Sequence, residues 1–309
     1  MASVAPYFVV LTPDPGYKNS PIIKVLTRAS EICKLQSGYS YMPPTTIPDV
    51  AGPNISPHYV GAPLPPKSHL SSMAHIAGDY YIGIDVGTGS ARACIVNQAG
   101  DIIGLASKDI ETFQPEQGFY EQSTVGIWNS ICLAVRTAIT HNNIDPSRIA
   151  GIGFDATCSL AIFERETGEP ISVTGTGFCS ERNVILWLDH RAGREAEAIN
   201  ATAHRVLDYV GGKMSVEMEI PKIMWLKNHM SRHLFEKCKF YDLADALTYI
   251  ATGLESRSFC SVVCKQGYLP AAIDKGQNGW QEDFMNAIGL GELTDDCYSR
   301  LGGINKLVC

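Results

Sequence analysis

Within eight residues, the segment Asp85-Val-Gly87-Thr88-Gly89-Ser90-Ala-Arg92 gathers the side chains that phosphate chemistry needs. Gly87 and Gly89 admit positive φ and close approach of the backbone to a ligand, so successive N–H groups can converge on anionic oxygens. Thr88 and Ser90 add hydroxyl donors, and Arg92 supplies a permanent charge. Asp85 closes the preceding apolar run and faces the same space. A carboxylate beside phosphates repels them unless a cation lies between, so the arrangement implies Mg²⁺, reached through water. Taken alone, the same residues also fit an ordinary glycine-turned hairpin with a satisfied aspartate. Two rival phosphate motifs are excluded. No Gly-Lys-Ser/Thr is present, and an extended run rather than a helix follows the turn. Gly151-Ile-Gly153-Phe-Asp-Ala156 imitates a dinucleotide fingerprint, but Thr157–Phe163 continues extended instead of opening a helix.

Short strands must position this turn. Tyr80–Val86, Ala91–Val96 and Ile102–Ile110 are apolar runs joined by short turns, which predicts consecutive hairpins. Val125–Ile139 carries Ile127, Trp128, Ile131, Val135 and Ile139 at helical spacing. Ile149–Phe154, Leu160–Phe163 and Val184–Leu188 read as further strands. Arg191–Val210 is predicted as one amphipathic helix stopped by Gly211-Gly212. Ile220–His229 and Leu243–Ala251 are predicted as two more, the last closed by Gly253. A meander followed by alternating helices and strands predicts an α/β fold with a mixed sheet and helices packed on it.

Composition narrows the function. The 309 residues hold 25 Lys+Arg against 32 Asp+Glu, a net charge of −7 that argues against a nucleic-acid protein working by phosphate neutralisation. Mean hydropathy is −0.01, and no run is long and apolar enough for a spanning helix. Ten cysteines contain no Cys-x-x-Cys pair, which excludes a zinc ribbon and predicts reduced thiols in a cytoplasmic compartment. Twelve of the 17 prolines lie at or before Pro66, and residues 1–78 carry net +2 against −9 for the rest. Residues 1–78 are therefore expected to be a Pro-rich irregular extension with a short helix around Ile22–Leu35. Their basic residues resemble an organelle transit peptide only faintly.

Asp-x-Gly-Thr-x-Ser-x-Arg at the first turn of a meander resembles the phosphate motif of the sugar-kinase, Hsp70 and actin superfamily. Gly151–Leu160, Val184–Ala192, Val210–His229 and Tyr241–Gly253 follow in the order found in FGGY-type carbohydrate kinases, and are most similar to the ribulokinase-like branch. The resemblance covers about Tyr80 to Leu301. It implies a ribonuclease-H-like fold, with residues 79–301 as the N-terminal sugar- and phosphate-binding lobe and 302–309 as a divergent tail. It implies ATP and Mg²⁺ as cofactors, and phosphoryl transfer to a sugar hydroxyl, with a ketopentose such as D-ribulose as acceptor. By resemblance, Asp85 is the metal-associated carboxylate, and Gly87, Thr88, Gly89, Ser90 and Arg92 are phosphate contacts. Asp155 and Cys158 belong to a loop against the sugar, Lys222 matches a substrate lysine, and Asp189, Arg191 and Glu217 border the pocket.

Plainer readings of some residues stay open. Trp187 and Trp225 sit in apolar runs and read as packing residues. Asp189, His190 and Arg191 also read as a helix entrance with a local ion pair. A thiol hydrolase built on Cys158 and His190 is set aside, since nothing in the sequence places them in contact. The family's general base is an aspartate in a segment like Ile-Asp-Ala-His-Ala-Gly, and none occurs between Gly253 and Cys309; Asp283, Asp295 and Asp296 stand in the wrong context. The sequence is thus expected to hold one lobe without the catalytic base or second lobe. A non-catalytic sugar- or nucleotide-binding form, or a regulatory one, is the alternative reading.

Overall fold

The computed structural model describes residues 79–174, 181–269, 279–303 and the backbone of 307–308. The expected irregular extension over 1–78, with its helix around Ile22–Leu35, lies outside the described residues, as do positions 304–306 and 309 of the tail.

The predicted meander is present. Strands β1 (Tyr80–Val86), β2 (Ser90–Asn97) and β3 (Ile102–Asp109) pair antiparallel, and β5 (Ile149–Ala156) joins β1 in parallel, giving the order β3-β2-β1-β5. Strand alternation sends Ile82, Ile84, Val86, Ala91, Ala93 and Ile95 to one buried face. Helix α1 (Thr124–His141) covers that face with the apolar residues its spacing marked, and Ser123 caps it by accepting the Gly126 amide at 3.2 Å. The same alternation sends Asp85 and Arg92 to the other face, in register across the β1–β2 hairpin.

A second sheet runs β4 (Glu121–Gln122), β7 (Val184–Ile185), β6 (Leu160–Glu164), β8 (Cys238–Asp242), all antiparallel. Around it lie α2 (Gly193–Ala201), α3 (Glu219–His229), α4 (Arg232–Lys237), α5 (Leu243–Thr252), α6 (Phe259–Lys265) and α7 (Glu282–Ala287). Leu307–Val308 forms β10, parallel to β9 (Arg257–Ser258).

Two predictions were too long. The strand over Val184–Leu188 ends at Ile185 because the Asp189 amide folds back on the Leu186 carbonyl at 3.1 Å. The helix over Arg191–Val210 breaks at Ala203, which has φ +48°. A 3₁₀ turn resumes over Arg205–Val210 and ends at Gly211, left-handed with φ +83° as its position suggested. Asn200 holds the break by bonding both the amide and the carbonyl of Met214.

Candidate active site

The turn between β1 and β2 is tight: the Gly87 amide donates to the Ser90 carbonyl at 3.0 Å. That amide is therefore engaged inside the turn rather than aimed at an anion. Neither Gly87 nor Gly89 has positive φ, contrary to the expected reason for glycine there. Space explains Gly87 instead. A Cβ on it would lie 2.5 Å from Arg92 Nη2, so its absence lets the guanidinium fold over the turn. At Gly89 a Cβ would meet nothing within 4 Å, which leaves the tip open to a ligand. Arg92 reaches Asp85 at 3.3 Å, with both side chains about half exposed. Such a pair is weakly held, so Arg92 can exchange its carboxylate for a phosphate at little cost.

Asp85 lies in register with Asp155 of β5, two carboxylates on neighbouring parallel strands. Parallel neighbours stand about 4.8 Å apart. Burial raises the Asp155 carboxyl above its ordinary value, its own Ala156 amide opposes that, and the Asp85 charge raises it further. Mutual repulsion of this kind is relieved by a cation, and the pair fits the expected Mg²⁺. Among the described residues no group of three His, Cys, Asp or Glu side chains is placed to hold a metal, so water and phosphate oxygens would have to complete its shell.

The turn is strapped to the loop expected against the sugar. Gln122 Nε2 donates to the Thr88 carbonyl at 2.7 Å, and the Trp187 indole N–H donates to the Thr88 hydroxyl at 3.0 Å. Trp187 is 37% exposed and bridges two loops, so its expected packing role is corrected. Its amide donates to Ser159 Oγ at 3.3 Å, and Ser159 Oγ lies 3.2 Å from the Thr157 hydroxyl. Trp225 is buried and packs edge-on to Phe119, as expected.

Lys222 is fully buried, and its ammonium donates to the carbonyls of Leu186 at 2.7 Å and Glu217 at 3.0 Å. Burial lowers it to about 8. Cys158 Sγ lies 3.9 Å from the same Glu217 carbonyl, and burial pushes its thiol up to about 12. Lys222, Cys158, Trp187 and Glu217 are thus brought together, but Glu217 takes part through its backbone while its side chain is exposed.

Asp189 and Arg191 bond to each other and to Glu121, near enough to Lys222 for both charges to act on it. Both are buried: Arg191 Nη2 reaches Asp189 Oδ2 at 2.7 Å and Glu121 Oε1 at 3.0 Å. Asp189 also accepts the Tyr120 amide at 2.6 Å, and the guanidinium stacks over Phe119 at 4.2 Å. With its bonding capacity filled by protein, this cluster fits the ion-pair reading better than the pocket-border one.

Sequence reasoning missed a second polar cluster behind Asp155. The Asp242 carboxylate ends β8, accepts from Lys265 at 2.7 Å and from Ser261 at 3.1 Å, and lies near two buried acids. Those acids are Glu219, driven well above its ordinary value by burial and the Asp242 charge, and Asp245, raised to about 7 by the same causes. Their positions, from 219 to 265, form no local motif; the only available signal was the acidic Asp242/Asp245 pair opening a predicted helix.

The comparisons with known proteins decide the lineage. Residues 80–266 match the N-terminal domain of the FGGY family of carbohydrate kinases. The chain belongs to that family. It is 51% identical over 224 residues to a D-ribulokinase of Saccharomyces cerevisiae, covering 72% of this chain and 31% of that protein. It is 43% identical over 224 residues to the FGGY carbohydrate kinase domain-containing protein of Homo sapiens, covering 72% and 39%. The chain therefore spans between about a third and two fifths of these relatives. Among solved structures, a xyloylose kinase from Brucella ovis matches with TM-score 0.60 at 21% identity, covering 74% of this chain and 43% of that one. A ligand-bound xylulose kinase from Lactobacillus acidophilus matches with TM-score 0.54 at 20% identity, covering 68% and 40%. These likenesses agree with the expected α/β, ribonuclease-H-like fold of sugar kinases.

Proposed function

We propose that residues 79–301 form the sugar- and phosphate-binding lobe of an ATP-dependent carbohydrate kinase whose acceptor is a ketopentose such as D-ribulose. The observation that carries this reading is the strapping of the Asp85–Arg92 turn to the Thr157–Ser159 loop through Trp187. Two ligand-facing segments held in fixed relation are what in-line phosphoryl transfer requires, because its catalysis is mainly positioning and electrostatics. The substrate class is supported by the 51% identity to a D-ribulokinase.

Each residue then has a task. Arg92 leaves Asp85 to pair with phosphate oxygens, and the open tip at Gly89 lets the backbone approach them. Asp85, with Asp155 beside it, holds the negative charge that orients a hydrated Mg²⁺. When bound, that ion neutralises charge on the transferred phosphoryl group. Lys222 fixes the Leu186 and Glu217 carbonyls, which shape the wall near Cys158. This reading assigns no residue of 79–301 as the proton-accepting base.

Calorimetry of this chain with MgADP and with D-ribulose tests the reading. Arg92→Ala is expected to weaken MgADP by about 10- to 100-fold, the worth of a charge-assisted hydrogen bond, without changing D-ribulose binding. In an ADP-release assay of a polypeptide carrying both lobes, Asp85→Ala is expected to abolish turnover. Unchanged MgADP affinity in Arg92→Ala would remove the turn from the site.

A further inference from the structure

Helix α6 carries two thiols that the kinase reading leaves unused. Cys260 and Cys264 stand four residues apart on one face, with their sulfurs 3.6 Å apart and neither in a disulfide. Cys264 is exposed and Cys260 half-buried, so the pair is open to solvent on one side. On the other side, Cys260 lines a cavity of about 40 Å³ together with Asp155, Ser258 and Lys265.

The separation discriminates between the two things a close thiol pair can do. A disulfide needs sulfurs about 2.05 Å apart and Cβ atoms about 3.5–4.5 Å apart. Helical neighbours at this spacing have Cβ atoms about 5–6 Å apart, so bridging them directly would unwind the helix. An ion held between the sulfurs needs no such change. Two zinc–sulfur bonds of about 2.3 Å spanning the observed 3.6 Å enclose about 103°, near the tetrahedral angle.

We propose that Cys260 and Cys264 form a two-thiolate binding site for a thiophilic divalent cation of the Zn²⁺ and Cd²⁺ class. Each bound ion replaces two thiol protons, which pass to solvent, and no oxidation state changes. Among the described residues no third His, Cys, Asp or Glu joins the pair in a cluster, so water fills the ion's remaining positions. The site does not rest on the kinase reading. Its interest lies in what shares the helix: Ser261 and Lys265, which hold Asp242, are fixed when the ion clamps the two ends of α6.

The test is titration of the fully reduced chain with Cd²⁺, followed by the thiolate-to-cadmium absorption band, with Zn²⁺ as competitor. One tight equivalent is expected. Cys260→Ser and Cys264→Ser should each weaken it by about 100-fold or more, since one thiolate cannot chelate, while Cys94→Ser on β2 leaves it unchanged. A second measurement uses the unmutated chain, so it does not depend on how the variants fold. Bound Cd²⁺ should protect the peptide containing Cys260 and Cys264 from alkylation and leave the Cys94 peptide reactive. Unchanged affinity in both serine variants, equal loss in Cys94→Ser, or absence of protection would each overturn the proposal.

Discussion

Gly87 and Gly89 are two residues apart, yet the structure gives them different work. At Gly87 an added methyl would collide with the far end of Arg92, a flexible side chain that can swing away. Gly87→Ala should therefore cost no more than about 1 kcal/mol in urea denaturation while breaking the Asp85–Arg92 contact. Gly89→Ala meets no protein atom within 4 Å, so its stability should match the parent chain. Its methyl would instead occupy the open tip, and MgADP affinity measured by calorimetry should fall about tenfold, or by about 1.4 kcal/mol. Parent-like MgADP binding in Gly89→Ala would show that no phosphate approaches there. Trp187 gives the same site an optical reporter. Its indole N–H bonds Thr88 and its amide bonds Ser159, so either ligand should alter tryptophan emission, and Trp187→Phe should abolish the response. At this scale residue types singled out the turn proposed to bind phosphate but not the structural reason for its glycines. The reason for Gly87 depends on where a side chain five positions away folds.

Elements were legible where the signal is local. The spacing of Ile127, Trp128, Ile131, Val135 and Ile139 specified α1, and all five are buried. The Asp189–Arg191 pair was visible too, being two residues apart. Its third member, Glu121, was not, because 70 positions separate it from Arg191 and only the fold brings them together. The acidic cluster around β8 was hidden for the same reason, and it gives α5 a pH response. Asp245 on α5 faces Asp242, Arg257, Lys265 and the Ser258 amide, and its carboxyl is raised to about 7. A folded-state value above the unfolded one, about 3.9, means that the native state binds the proton more tightly. Stability from this group is complete below about pH 4 and is lost as pH rises toward 7, by at most about 1.4 kcal/mol per pH unit. Urea midpoints at pH 5 and pH 8 should differ less in Asp245→Asn than in the parent. Glu219, raised for the same reasons, leaves a residual slope of the same sign. An equal slope in the two chains would mean that the Asp245 carboxylate is ionised and already compensated by Arg257 and Lys265.

Across the whole molecule, one sheet serves two cores. Along β6, Ala161 and Phe163 belong to the cluster beneath α1, while Leu160 and Ile162 belong to the cluster beneath α3 and α7. The neighbouring strands divide likewise: Val184 from Ile185 on β7, and Tyr241 from Phe240 on β8. A strand with two buried faces cannot lose one partner layer without exposing the other, so the two cores should unfold together. The Thr157–Ser159 loop enters β6 directly from β5, which ties the proposed sugar wall to that shared sheet. Ile162→Ala, at a fully buried position of the second cluster, should cost about 2–5 kcal/mol. Trp128 reports the first cluster and Trp280 the second, so chains retaining only one of them can follow each core separately. The substitution should lower both urea midpoints by the same amount, although no atom of Ile162 belongs to the first cluster. A shift confined to the Trp280 reporter would mean that the cores melt independently and that β6 does not couple them. The turn around Asp85 would then keep its geometry while the Lys222 side of the site was lost.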